Sequence, residues 1–348
     1  MSDAGESSAM IIAFVAMAVA AAGPLHAQTL HAETAAEFYK GRTVTIVVSS
    51  APGGGYDAIA RAAARVLGQY LPGQPTFIVQ NMAGAGGIVA TNYLYGRAPK
   101  DGSVIGQVQA NIAFEPLMGT AQAIYQPTRF NWLGSPAFEV GVFLVSERTG
   151  IKTLATARTR ELAVGVPGQN STPSLYARLL RDTLGLKLRL IAGYQGQNDN
   201  MLALERGEID GYANFYNTLM AFRPTWLATG KVAALVQYGP EKEPALGDVP
   251  YAPDLAANDD DRALMQAAFA ALALGRPFLA PPDTVPERVA ALRTAFAAAF
   301  KDTSFVGEVE KAGLKVNRPR TGEEIQTVIE TTYRNPPRVV ERLRRLQE

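Results

Sequence analysis

The sequence predicts an α/β protein made of two successive units, each a mostly parallel sheet flanked by helices. Three observations lead there. A β-branched run, a glycine loop and a helical stretch follow one another twice near the start, at Arg42–Tyr70 and Thr76–Tyr95. Strands alternating with helices need crossover connections, and crossovers imply parallel pairing. The same pattern restarts beyond Val140, and 348 residues correspond to about two domains at roughly 150 residues each.

In order, Arg42–Val48 reads as a buried strand that feeds the turn Ser49–Gly55. Ile59, Ala63, Val66, Leu67 and Tyr70 fall at helical spacing, with Arg61 and Arg65 off that stripe, and Leu71-Pro72-Gly73 stops the helix. Thr76–Val79 is the second strand, Gly84-Ala85-Gly86-Gly87 the second glycine loop and Ile88–Tyr95 the second helix. After the turn Lys100-Asp101-Gly102 comes a third strand, Ser103–Val108. The second unit has strands at Val140–Val145, Leu162–Val166, Leu188–Ile191, Ile209–Phe215 and Val232–Tyr238. A polar loop, Pro167–Thr172, precedes a helix carrying Leu175, Leu179 and Leu180. Phe269–Phe278 reads as a strand returning to the first unit, and helices at Glu287–Phe300, Val306–Lys311, Glu323–Tyr333 and Pro337–Leu346 finish the chain.

Composition removes several classes of function. With 33 basic and 32 acidic residues the formal charge is +1, which gives no bulk attraction for nucleic acid. There is no cysteine, and both histidines, His26 and His31, precede the first strand. Thiolate zinc sites, cysteine nucleophiles, disulfides and His-based triads are therefore unsupported. The thirteen apolar residues Met10–Ala22 are too few for a membrane span of about 20 and fit the core of a secretory signal. Residues 1–27 are expected to be a cleaved signal peptide and the mature protein to be exported, although Asp3 and Glu6 stand where such signals carry positive charge.

The first loop, Gly53-Gly54-Gly55-Tyr56-Asp57-Ala58, fits G-x-G-x-x-A after a strand, the position of a dinucleotide fingerprint. That use needs an acid at the end of the second strand, where Gln80-Asn81 stands, and Asp57 would repel a pyrophosphate. A phosphate loop fails because no Gly-Lys-Ser/Thr follows. The glycines could simply make tight turns, with Asp57 as a helix cap. Two such loops at equivalent strand ends, plus the polar loop before Ser171 and Thr172, point instead to a cleft lined by helix N-termini. Their free N–H groups and positive dipole ends suit a small organic anion.

Read together, Pro52–Asp57 with Ala60-Arg61, Asn81 with Gly84–Gly87, and Lys100-Asp101-Gly102 resemble the solute receptors of tripartite tricarboxylate transporters, the Bug-type binding proteins. Gly168–Thr172, Tyr194-Gln195-Gly196, Gly207–Asp210 and Gly247–Pro250 continue the resemblance in the family's order. It implies a type II binding protein located in the periplasm, with residues 33–135 and 251–348 in one lobe and 136–250 in the other. It further implies a monomer that uses no cofactor or metal, binds a di-, tri- or aromatic carboxylate in the interlobe cleft and delivers it to membrane permease subunits. A signalling sensor as recipient, or a dinucleotide-dependent enzyme, are the alternatives. By resemblance Gly53, Gly54, Gly55, Tyr56, Asp57, Asn81, Gly84, Ala85, Gly86 and Gly87 hold one carboxylate, while Ser171, Thr172, Tyr194 and Asn214 read the rest. Ser171 and Thr172 could equally cap a helix. Tyr56 departs from the small residue usual in the family. Glu139 lies near the first crossing between lobes; facing the cleft, it disfavours a polyanion and favours an amine or hydroxyl.

Overall fold

The computed structural model describes residues 33–166, 171–194 and 197–346, the side chains of Gln197 and Asn214 excepted. The expected signal peptide, most of the loop before Ser171 and the Gln195-Gly196 pair lie outside these residues. From Ala35 on, the chain forms one compact unit with two sheets.

The first sheet holds β1 (Thr43–Val48), β2 (Thr76–Asn81), β3 (Val104–Gln107), β4 (Asn131–Ser135), β10 (Phe278–Ala280) and β11 (Arg320–Thr321), in the order β11-β4-β10-β3-β1-β2. The second holds β5 (Gly141–Ser146), β6 (Leu162–Val166), β7 (Leu188–Ala192), β8 (Gly211–Phe215) and β9 (Val232–Tyr238), in the order β7-β6-β8-β5-β9. The two share an internal plan. β2-β1-β3 and β7-β6-β8 pair in parallel, as expected for strands joined by helical crossovers. Next to each triplet lies an antiparallel strand, β10 or β5, that enters where the chain passes from one sheet to the other. Each sheet is therefore mixed, where a mostly parallel one was expected.

The β-branched runs form strands because their side chains fill a surface covered on both sides. In β1, Val44, Ile46 and Val48 pack with Ile59, Ala63 and Leu67 of the helix Gly55–Tyr70, while Val47 faces Ile88 and Leu94 on the other side. Burying one such side chain contributes about 1.5–3 kcal/mol.

One expected element is corrected. Phe269–Phe278 is not a strand: the helix Asp259–Leu274 runs through most of it, and β10 begins only at Phe278. Its N-cap Asn258 accepts the Asp261 N–H at 2.8 Å, and Asp259, Asp260 and Asp261 complement the dipole in the first turn. Alanine and leucine dominate its interior, and both favour helix. The misreading came from an apolar run with two buried faces, which carries neither a clean 3.6 nor a clean 2 period.

That helix belongs to both cores. Leu264, Met265, Phe269 and Leu272 pack with β5, β6 and β9, whereas Ala270, Ala273 and Leu274 pack with Trp132, Ile112 and Leu279 of the first half. Tyr176, Tyr238 and Phe269 form an aromatic trio with ring centroids 4.9 to 5.5 Å apart, fixing the helix to the second sheet. The helix stops at Gly275, whose φ of +57° is left-handed. A Cβ there would lie 1.9 Å from the Ala137 carbonyl oxygen, in the segment that joins β4 to β5. Nearby, the Glu139 N–H donates to the Leu272 carbonyl at 2.9 Å, and the Arg276 N–H donates to Ser135 Oγ at 3.1 Å. The crossing is thus laced to the helix end.

Gly275→Ala combines a left-handed alanine with a backbone clash, so a loss of about 2–4 kcal/mol is expected in urea unfolding. An unchanged midpoint would show that the crossing is not held by this close approach.

Candidate functional site

A cavity of about 450 Å³ opens where strands of both sheets end. Tyr56 follows β1, Gln109–Asn111 follow β3, Thr172 and Pro173 come after β6, and Phe215 closes β8. These are carboxyl ends of strands, the usual ligand crevice of α/β sheets. Gly275 and Arg276 complete the wall from the shared helix, and Glu139 completes it from the crossing.

Arg276 and Glu139 give the cavity its charge. Their side chains are 22% and 17% exposed, and Arg276 Nη1 stands 3.7 Å from Glu139 Oε1, attractive but too long for a hydrogen bond. Arg276 Nε is buried without a hydrogen-bond partner among the described residues. The guanidinium lies 5.7 Å from the Tyr56 ring centroid. A Cβ on Gly55 would come within 3.6 Å of Arg276 Nε and Nη2, so the arginine sits directly beside the start of the helix Gly55–Tyr70. That helix has Gly54 at its N-cap and no side-chain cap. The helix start and the guanidinium are therefore neighbours, a pairing that attracts a carboxylate. Glu139 accepts from Asn217 Nδ2 at 3.3 Å. Burial raises the Glu139 carboxyl above its ordinary range, outweighing the opposing pull of Arg276 and Asn217.

The structure sorts the expected site residues into three groups. Tyr56 and Thr172 line the cavity, and Ser171 joins Thr172 in a smaller adjoining one of about 190 Å³. Tyr56 Oη makes long 3.4 Å contacts, donating to the Gly275 carbonyl and accepting from the Ala110 N–H. Ser171 also caps the helix Thr172–Leu184 through the Ser174 N–H at 3.4 Å.

The glycines stand at the rim. Gly53 and Gly54 are exposed, Gly55 touches Arg276, and a Cβ on Gly86 would lie 3.9 Å from Asn111 Nδ2. Gly84, Ala85, Gly86 and Gly87 all have positive φ, a run in which Ala85 is the strained member at +44°.

Asp57 and Asn81 serve the loop. Asp57 is 3% exposed and accepts from the Gly53 N–H, Arg61 Nε and Asn81 Nδ2, each at 2.9 Å. Burial alone would raise its carboxyl, but the bonds from Arg61, Gly53 and Asn81 prevail and hold it below the usual range. Tyr194 packs against the cluster of Met201, Leu204 and Ile209, apart from the cavity lining. Asn214 lies on β8 opposite Val142, and its side chain is outside the described part.

Arg276 was missed by sequence reasoning because Phe269–Phe278 read as a strand. The signal that could have found it is Asn258 followed by three aspartates, then an Ala/Leu run closed by Gly275, a helix with both ends marked. Gln109–Asn111, Phe215 and Thr218 were missed as well; they lie at or just beyond strand ends and carry no motif.

A family model described as "Tripartite tricarboxylate transporter family receptor" matches residues 59–344. The chain belongs to that family. The match begins just after the first glycine loop, and the family is one of receptors, not enzymes. A UPF0065 protein in the TAR-I ttuE-ttuC' intergenic region of Agrobacterium vitis is 26% identical over 187 residues, 51% of each chain. The chain thus spans about half the length of that curated relative. Among solved structures, a TctC solute binding protein from Polaromonas, without ligand, has a TM-score of 0.69 at 21% identity over 88% of this chain and 98% of its own. MatC from Rhodopseudomonas palustris with bound malate scores 0.53 at 22% identity, covering 88% and 99%. Another R. palustris protein, with adipate, scores 0.56 at 20% identity, covering 88% and 97%. These structures share the type II binding-protein fold.

Asp57→Ala removes three hydrogen bonds from a buried carboxylate, so a loss of about 1–3 kcal/mol is expected at neutral pH. A carboxyl lowered on folding stabilises above its unfolded value and loses that contribution as the pH falls through the folded one. Stabilities of the two proteins should therefore converge as the pH drops below the ordinary Asp range of about 3.9. A gap that persists in acid would assign the loss to packing. Gly54→Val places its Cβ no closer than 3.8 Å to Ala51 O at a φ of −84°. It should fold normally while weakening any acid held at the helix start; unchanged affinity for such an acid would place the contact elsewhere.

Proposed function

We propose that this chain is an extracytoplasmic receptor that binds a small organic carboxylate in the Arg276 cavity and passes it to the permease subunits of a tripartite transporter. One observation carries the reading: a guanidinium with an unpartnered buried Nε stands beside the uncapped start of the helix Gly55–Tyr70, inside a cavity lined from both sheets. A guanidinium beside a helix N-terminus favours a bound carboxylate. The malate and adipate held by proteins of the same fold support the class of ligand.

Location rests on the apolar run Met10–Ala22 and on the family. Among the described residues no helix is long and apolar enough to cross a membrane. A receptor of this shape converts occupancy into a closed surface by hinging its two halves, and the crossing at Pro136–Glu139, laced to the end of the shared helix, is where such a hinge would act.

Thermal unfolding of protein stripped of co-purified ligand tests the reading, with malate, adipate, citrate, benzoate and 4-hydroxybutyrate as probes. An acid at 100 times its dissociation constant adds about 2.7 kcal/mol and raises the midpoint visibly. At least one should do so in wild type and fail to do so in Arg276→Met. No shift with any of them would overturn the receptor reading.

A further inference from the structure

The charge inside the cavity is balanced before a ligand arrives. Among its described lining residues Arg276 is the cation and Glu139 the acid, and both are largely buried. The adjoining smaller cavity adds a second acid, Glu115, which accepts from Asn111 Nδ2 at 3.0 Å and Thr120 Oγ1 at 2.6 Å. A ligand carboxylate beside Arg276 therefore enters a cavity whose lining cation already faces an acid, Glu139. A second carboxylate at the far end, near Glu139, would set like charges beside each other at a largely buried acid.

Glu139 is placed to contact the ligand rather than merely to neutralise Arg276. The 3.7 Å gap between them leaves Arg276 Nε free for another acceptor. Asn217 holds Oε2, so Oε1 faces Arg276 and retains capacity to accept a hydrogen bond. Tyr56, Phe215 and Leu272 supply apolar wall to the same cavity.

We infer that Glu139 sets the specificity of the site, selecting an acid whose far end offers a hydrogen-bond donor, a hydroxyl or an ammonium, over a plain dicarboxylate. The inference rests on the receptor reading and narrows its ligand class. One end of the ligand takes Arg276 and the helix start; the other end donates to Glu139.

Three acids of equal length differ only in that far group: succinate, 4-hydroxybutyrate and 4-aminobutyrate. Adipate, 6-hydroxyhexanoate and 6-aminohexanoate repeat the comparison in a longer ligand. Calorimetric titration of wild type with all six should give, in at least one length, a hydroxy or amino acid bound ten times or more tighter than its diacid. Which of the two is favoured distinguishes hydroxyl from ammonium. Glu139→Gln, which keeps an oxygen for Asn217, should erase that ratio by strengthening the diacid and weakening the amino acid. A diacid that binds wild type as well as its partners do, or a ratio that survives Glu139→Gln in a folded variant, overturns the assignment and leaves the receptor reading standing. Silence from all six overturns the assignment, and the receptor reading is then decided by the wider panel of acids tested by thermal unfolding. The wild-type ratios decide the matter even if the variant does not fold.

Discussion

The site depends on one close approach, Gly275 against the carbonyl of Ala137. Only a glycine can take the left-handed turn there and let the crossing segment lie on the end of the helix Asp259–Leu274. Because that helix contributes side chains to both hydrophobic clusters, its end stands where the two sheets meet. Arg276 comes directly after it, and Glu139 two residues beyond Ala137 in the crossing. Backbone packing thus places the two charges side by side in the cavity wall, 3.7 Å apart.

Electrostatics then assigns different work to similar groups. Asp57 and Glu139 are both largely buried carboxyls, yet they are pushed in opposite directions. Asp57 is surrounded by donors, so its charge is favoured and spent on tying the loop that starts the helix Gly55–Tyr70. Glu139 has one long hydrogen bond and a guanidinium beyond hydrogen-bond reach, so burial prevails and its charge is weakly supported. A satisfied carboxylate builds structure, whereas an under-satisfied one facing a cavity is available to a ligand.

Local features of the fold were legible in the sequence. β-branched runs and glycine punctuation located β1, β2, β3 and β6 and the helices between them, because each signal is contained in a few neighbouring residues. The short strand β4 and the helix Asp259–Leu274 were not read correctly. β4 is defined by its partners β10 and β11, which are distant in sequence, and the helix has no polar face to reveal its period. The site shows the same division. The glycine loops announce a helix start facing a cleft, but that Asp57 turns inward and that Arg276 fills the space beside Gly55 are results of tertiary packing. Glu139 stood out only as an acid near a crossing.

The central claim is that Arg276 and the helix start hold one end of the ligand and Glu139 the other. A crystal structure of the protein with the tightest-binding acid tests it most directly. A carboxylate within about 3 Å of Arg276 Nε and of an N–H in the first turn of Gly55–Tyr70, with a ligand donor on Glu139, is the predicted result. A ligand bound elsewhere, with Arg276 and Glu139 closed on each other in a direct salt bridge, would contradict it.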